Sequence, residues 1–291
     1  MKKKEAVLIL SSGGARGLAQ IGVIEELEAN GWNITAIAGS SIGALIGGFY
    51  AAGKLNAFKE WVKKLDRIDV MRYFDVTFSS RGFIKGDRIM KEMRRIMGDV
   101  NIEDLPIRYR AVSGDIVKHE PVVFDKGDLI NAIHASVSIP GVFTPFQLNG
   151  ALLVDGAVTN PMPMSVYELT DQEQMIAVNL NARIPYEMPV NVRTKKEQEQ
   201  SEKVFHQWKE NVRKVFHFKK TKTAKKPGLY GVLFRSFEMM QESYTMELIE
   251  RYRPHVLVEL SRESADTFEF NKAEELIAYG RQQTKKALEH E

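Results

Sequence analysis

The sequence predicts an α/β fold built on a mostly parallel sheet, and three observations carry that prediction. Short apolar runs alternate with helix-patterned segments through the first half of the chain, the signature of βαβ units. Glycine-rich turns stand where the first two strands hand over to helices. A length of 291 residues, 44% hydrophobic and 27% charged, suffices for a large core and argues against global disorder.

The elements follow in order. Residues 7–10 read as an apolar strand, a Gly-rich turn comes next, and Leu18, Ile21, Ile24 and Leu27 recur at helical spacing. Asn30 and Gly31 end that helix as a left-handed cap does. A second strand is expected at 34–38 and a helix of small residues at 42–52, closed by Gly53. Helices are expected at 55–65 and 87–97, strands at 109–113 and 122–124, and a helix from 128 to about 138. After a Pro-rich turn come a strand at 151–154 and later strands at 175–180 and 255–260. A closing helix spans 271–288, with Asn271 as N-cap and Glu274 completing a capping box.

Composition removes several function classes. The net charge of +3 is too small to imply nucleic-acid binding. With no cysteine, disulfides, thiolate catalysis and Cys-ligated metals are excluded. Lys2, Lys3 and Lys4 before a short apolar run resemble a signal peptide, but the run leads straight into a glycine loop and reads as a core strand. No stretch approaches the ~20 apolar residues of a membrane span. We therefore expect a cytoplasmic protein, with any membrane contact peripheral at the inner face. Neither an H-E-x-x-H pair nor an EF-hand loop is present, so no metal or cofactor is expected.

Three features carry chemistry. Gly39, Ser40, Ser41, Ile42 and Gly43 fit the G-x-S-x-G nucleophile elbow, whose small flanking residues let strand and helix close around a strained serine. The setting matches: an apolar strand precedes the serine and a helix containing Ala44, Gly47 and Gly48 follows it. Ser41 would thus stand at a helix N-terminus, where developing negative charge is favoured. A hydroxyl nucleophile needs a base, and Asp155 ends the apolar run at 151–154 and is followed by Gly156 and Ala157. Taken alone, Asp-Gly is equally a hairpin turn. Ser12, Gly13, Gly14, Ala15, Arg16 and Gly17 follow the first strand and would converge backbone N–H groups on one point. A dinucleotide loop would need an acid about 20 residues on, and a P-loop would need Gly-Lys-Ser/Thr. Both are missing, which leaves an oxyanion-holding loop.

Together these features resemble the patatin-like phospholipase family, in the family's order and over most of the chain. Ala135, Ser136, Val137, Ser138, Ile139 and Pro140, followed by Phe143 and Pro145, are similar to its block before the aspartate. The segment from His255 to Ile277 is similar to its last strand and helix. The resemblance implies a single three-layer α/β/α domain over 1–291, with Ser41 as nucleophile, Asp155 as proton acceptor and no histidine. It further implies an oxyanion hole from the backbones of Gly13 and Gly14 with Arg16 nearby, and lipid acyl esters as substrates through an acyl-enzyme. Ser12 departs from the family, where many members carry glycine. A Ser41–Asp155–His255 triad follows the α/β-hydrolase chain order, but His255 opens an apolar strand after Pro254, where a structural role fits better. An acyltransferase, or a non-catalytic lipid-binding or regulatory protein of this fold, are the alternatives.

One segment stands apart. Between residues 193 and 226 lie twelve Lys/Arg against four Glu, a local charge of +8 in a chain otherwise net acidic. Val204, Phe205, Trp208, Val212, Val215 and Phe216 recur there at three- and four-residue steps. We read 190–228 as a basic amphipathic helical insertion, either docked on the core or contacting an anionic membrane through 193–226.

Overall fold

The structure, a computed structural model, describes residues 4–73, 86–189 and 229–289. The basic insertion expected at 190–228 lies outside those residues. Eight strands form one mixed sheet with hydrogen-bonding path β5-β6-β3-β2-β1-β7-β8, and β4 pairs with β3. The strands are β1 (Lys4–Leu10), β2 (Trp32–Ser40), β3 (Arg108–Asp115), β4 (Glu120–Phe124), β5 (Phe146–Leu148), β6 (Ala151–Asp155), β7 (Glu173–Ala182) and β8 (Val256–Ser261). Pairings among β3, β2, β1, β7 and β8 are parallel; β4, β5 and β6 pair antiparallel.

Strand alternation divides the core. Ala6, Leu8 and Leu10 of β1 join one apolar cluster, while Val7 and Ile9 join another on the opposite face. The first face carries α1 (Ala19–Ala29), α2 (Ile42–Ala51), α3 (Leu55–Val62), α5 (Asp87–Met97), α6 (Leu129–Ser136) and α8 (Ala273–Glu289). The second face is covered by α7 (Leu229–Tyr252) through Leu248, with Met162, Met164 and Tyr167. The result is the three-layer α/β/α arrangement expected from the sequence.

The register of β3 positions the site. Ala111 and Val112 pair with both β2 and β4, and residues 113–115 pair with both β4 and β6. A strand has two edges, so β2 and β6 share one edge of β3 and meet there end to end. Ser40 lies opposite Val112 and Asp155 opposite Ser113. The last residue of β6 thus abuts the end of β2.

Most elements fall where the sequence places them, and α5 keeps the expected bounds. Gly31 takes φ 81°, as the cap requires. The capping box at the last helix is corrected. Asn271 sits inside a 3₁₀ turn, Phe270–Lys272, and its Oδ1 is buried without a hydrogen bond, so it caps nothing. The helix begins two residues later because that turn first carries the chain past the pocket-lining Phe270. Three elements had no expectation: α4 (Arg67–Tyr73), β5 and the 24-residue α7.

Candidate active site

The elbow is strained in the way the motif requires. Ser41 takes φ 56° and ψ −124°, outside the range a side chain ordinarily adopts, at a cost of roughly 1–3 kcal/mol. The turn closes only because its flanks lack Cβ atoms: one on Gly39 would lie 2.4 Å from the carbonyl of Gly43. Two contacts hold the serine. Its N–H donates to Ser136 Oγ at 2.9 Å, and its hydroxyl donates to Asp155 Oδ2 at 2.5 Å.

Asp155 is placed by the end-to-end meeting of β2 and β6. Its N–H donates to the Ser138 carbonyl at 2.9 Å, and its Oδ1 accepts from the Ala157 N–H at 2.8 Å. Gly156 is required by crowding, since a Cβ there would lie 2.2 Å from the Val112 carbonyl oxygen. Both dyad residues are buried, Ser41 at 5% and Asp155 at 2% exposure. Burial raises the Asp155 carboxyl to about 7 against the lowering effect of its bonds from Ser41 and Ala157. Such a carboxylate can accept a hydroxyl proton near neutral pH.

The glycine loop closes the third side. Ser12 donates its N–H to the Pro161 carbonyl and Ala15 to that of Thr267, both at 2.9 Å. Among the described residues, the N–H groups of Gly13 and Gly14 have no protein acceptor. Gly14 takes φ +58°, and a Cβ there would meet Thr267 at 2.8 Å. Gly17 packs directly on Ile42, joining loop to elbow. The Ser12 N–H is committed to Pro161 and is therefore not among the free donors of the loop. Arg16 directs its guanidinium to Asn181 Oδ1 at 2.8 Å and to the Ala265 carbonyl at 3.1 Å. Burial lowers its pKa, Arg262 adds to that, and Glu238 and Asp266 oppose it.

The stretch of chain that carries Ser41, Asp155 and the glycine loop matches a known family. The model described as "Patatin-like phospholipase" matches residues 8–166, more than half of the chain. The chain belongs to the patatin-like phospholipase family. An uncharacterised NTE-family protein of Mycobacterium bovis is 44% identical over 174 residues, covering 60% of this chain and 48% of its own length. Lysophospholipase NTE1 of Candida albicans is 30% identical over 184 residues, 61% of this chain and 13% of that protein. The chain therefore spans about half, or less, of the curated relatives it matches. Among solved structures, VipD from Legionella pneumophila covers 99% of this chain and 67% of its own, at 13% identity and a TM-score of 0.48.

In this patatin-like chain, no histidine among the described residues contacts the dyad. His255 Nδ1 accepts the Met175 N–H at 3.0 Å. Met175 is level with Val7 and Ala36 across the sheet, so the imidazole lies roughly 16 Å along the strands from Ser41, taking ~3.3 Å per residue. His134 packs its ring on Phe146, and burial lowers its pKa. His206, His217 and His290 lie outside the described residues. Ser41 and Gly14 open onto a cleft with an almost wholly apolar lining. Leu45, Phe58, Trp61, Met90 and Phe143 help line it. Sequence reasoning assigned no role to Ser136 or Ser138. Their only signal is the alternating serines of the Ala135–Pro140 block, which cannot say that one side chain and one carbonyl reach the dyad. No helix among the described residues is long and apolar enough to cross a membrane.

Proposed function

We propose that this protein is a serine acyl hydrolase that cleaves lipid acyl esters through the Ser41–Asp155 dyad. The 2.5 Å hydrogen bond between the two, at the head of an apolar cleft, carries the reading. Asp155 accepts the hydroxyl proton as Ser41 Oγ attacks the ester carbonyl. The N–H groups of Gly13 and Gly14 hold the oxyanion, while Arg16 braces the loop that carries them. The tetrahedral adduct collapses with release of the alcohol, which takes the proton from Asp155, leaving an acyl-enzyme. Water, deprotonated by Asp155, then attacks that ester, and collapse of the second adduct frees the acid as Ser41 Oγ takes the proton back from Asp155. The family and its lysophospholipase members support a lipid substrate, and the cleft offers an acyl chain an apolar lining. No cofactor enters the scheme.

A fluorophosphonate probe is expected to label the native protein at Ser41 and to leave Ser41→Ala unlabelled. Absence of labelling in the native chain would remove the hydrolase reading in favour of a non-catalytic lipid-binding protein. An acyltransferase would be labelled equally, and product analysis with an added alcohol acceptor separates it.

The dyad sets a pH dependence. Asp155 must be ionised in the free enzyme, so kcat/KM on a soluble short-chain ester is expected to rise about tenfold per pH unit below 7 and level off above. A profile flat from pH 5 to 8 would contradict Asp155 as the base.

A further inference from the structure

A single carboxamide outside the dyad ties down both ends of the glycine loop. Asn181, next to last in β7, donates from Nδ2 to the Ser12 carbonyl at 3.0 Å and accepts on Oδ1 from Arg16 Nη2 at 2.8 Å. Ser12 and Arg16 bracket Gly13 and Gly14, the two residues whose N–H groups are left for a substrate oxygen. Asn181 is itself held, because its N–H donates to Asn179 Oδ1 at 3.0 Å and Asn179 is buried at 1% exposure. The neighbouring Leu180 N–H donates to Ser11 Oγ at 3.1 Å, and Gln20 donates to the Ser11 carbonyl at 3.0 Å. The end of β7 is therefore a bonded template against which the loop is laid. Arg16 Nε is buried there without a hydrogen bond, so the guanidinium is fixed by the loop's geometry and not by full satisfaction of its own donors.

We propose that Asn181 is the positioning residue for the oxyanion donors, acting through Ser12 and Arg16 without touching substrate. The inference rests on the acyl-hydrolase reading above. A carboxamide suits the place because it offers one donor and one acceptor in one plane. Aspartate has the same shape but presents two acceptors. One oxygen still takes Arg16, and the other faces the Ser12 carbonyl and repels it. Leucine fills a similar volume and makes neither bond. Displaced donors weaken binding of the oxyanion far more than binding of the neutral ester, so the loss falls on kcat.

The test uses the full chain, a soluble short-chain ester and a trifluoromethyl ketone whose serine adduct places an oxyanion at the donors. Native protein, Asn181→Asp and Asn181→Leu are compared for kcat, KM, inhibitor affinity and Tm. The expected result for Asn181→Asp is a kcat lowered about 10- to 100-fold, a KM within about twofold, and inhibitor affinity lowered by the same factor as kcat. Asn181→Leu is expected to show the same kcat–KM split. A variant that folds and keeps native kcat and inhibitor affinity, or that loses only KM, overturns the inference while the hydrolase reading stands. Native protein that neither turns over ester nor takes the fluorophosphonate probe overturns both.

Discussion

Replacing Asp155 with asparagine is expected to lower ester hydrolysis roughly 10⁴-fold and leave the protein folded. Asparagine can keep both contacts of the carboxylate, accepting from Ala157 and meeting Ser41, but it cannot take the serine proton. The same substitution should raise stability at alkaline pH. The folded pKa of Asp155 is raised to about 7 by burial, so the native state holds this proton more tightly than the unfolded chain does. Its contribution is fully present below the unfolded pKa near 4 and is lost as pH rises through 7. Above pH 7 the buried carboxylate costs on the order of 4 kcal/mol relative to its protonated form. Asp155→Asn carries no such charge. Denaturant melts at pH 5 and pH 8 check this: the variant's advantage over the native protein should be larger at pH 8. Equal differences at the two pH values would show that Asp155 is not perturbed in this way.

Gly280→Ala and Gly22→Ala are each expected to lower stability by about 3 kcal/mol or more, roughly 6–12 °C in Tm. The two glycines face each other's helices. A Cβ on Gly22 of α1 would lie 1.9 Å from the Ile277 carbonyl oxygen of α8. A Cβ on Gly280 would lie 1.9 Å from that of Ala19. The obstacle in each case is backbone, which cannot rotate aside as a side-chain tip can. The helices must separate, and with them Ile21, Leu276 and Tyr279 lose their packing. Because both substitutions open one crossing, the double variant should cost less than the sum of the singles. Thermal melts of the three variants decide this, and a Gly280→Ala protein with native Tm would count against direct backbone contact between α1 and α8.

Those glycines mark a limit of sequence reading. Gly22 and Gly280 each stand inside a helical pattern, where glycine alone signals only weak helix propensity. That they touch each other's helix 258 positions apart appears only once α8 is laid on α1. The elements α4 and α7 escaped for a related reason. Tertiary contacts cover short or mixed faces that carry no clear period, and α7 leaves Met239 and Met240 exposed. The Asn271 cap was misplaced because a local Asn-x-x-Glu pattern cannot register a preceding 3₁₀ turn.

Ser41, Asp155 and the loop at 12–17 stand out in the sequence as candidates because the turns that carry them are written in short, local patterns. An elbow needs small residues on both sides of its serine, and close-packed N–H donors need glycine. Such steric demands act over a few residues and therefore survive in one dimension. The sequence by itself also determined the alternation of strands and helices, since burial of one face imposes a period on the chain. Only the tertiary structure decided that β2 and β6 share one edge of β3, which brings residues 41 and 155 to 2.5 Å. It likewise separated His255 from them and set Asn181 against both ends of the glycine loop. Those relations depend on register between strands distant in sequence, and a register is selected by the packing of the whole sheet, which no short stretch of residues encodes.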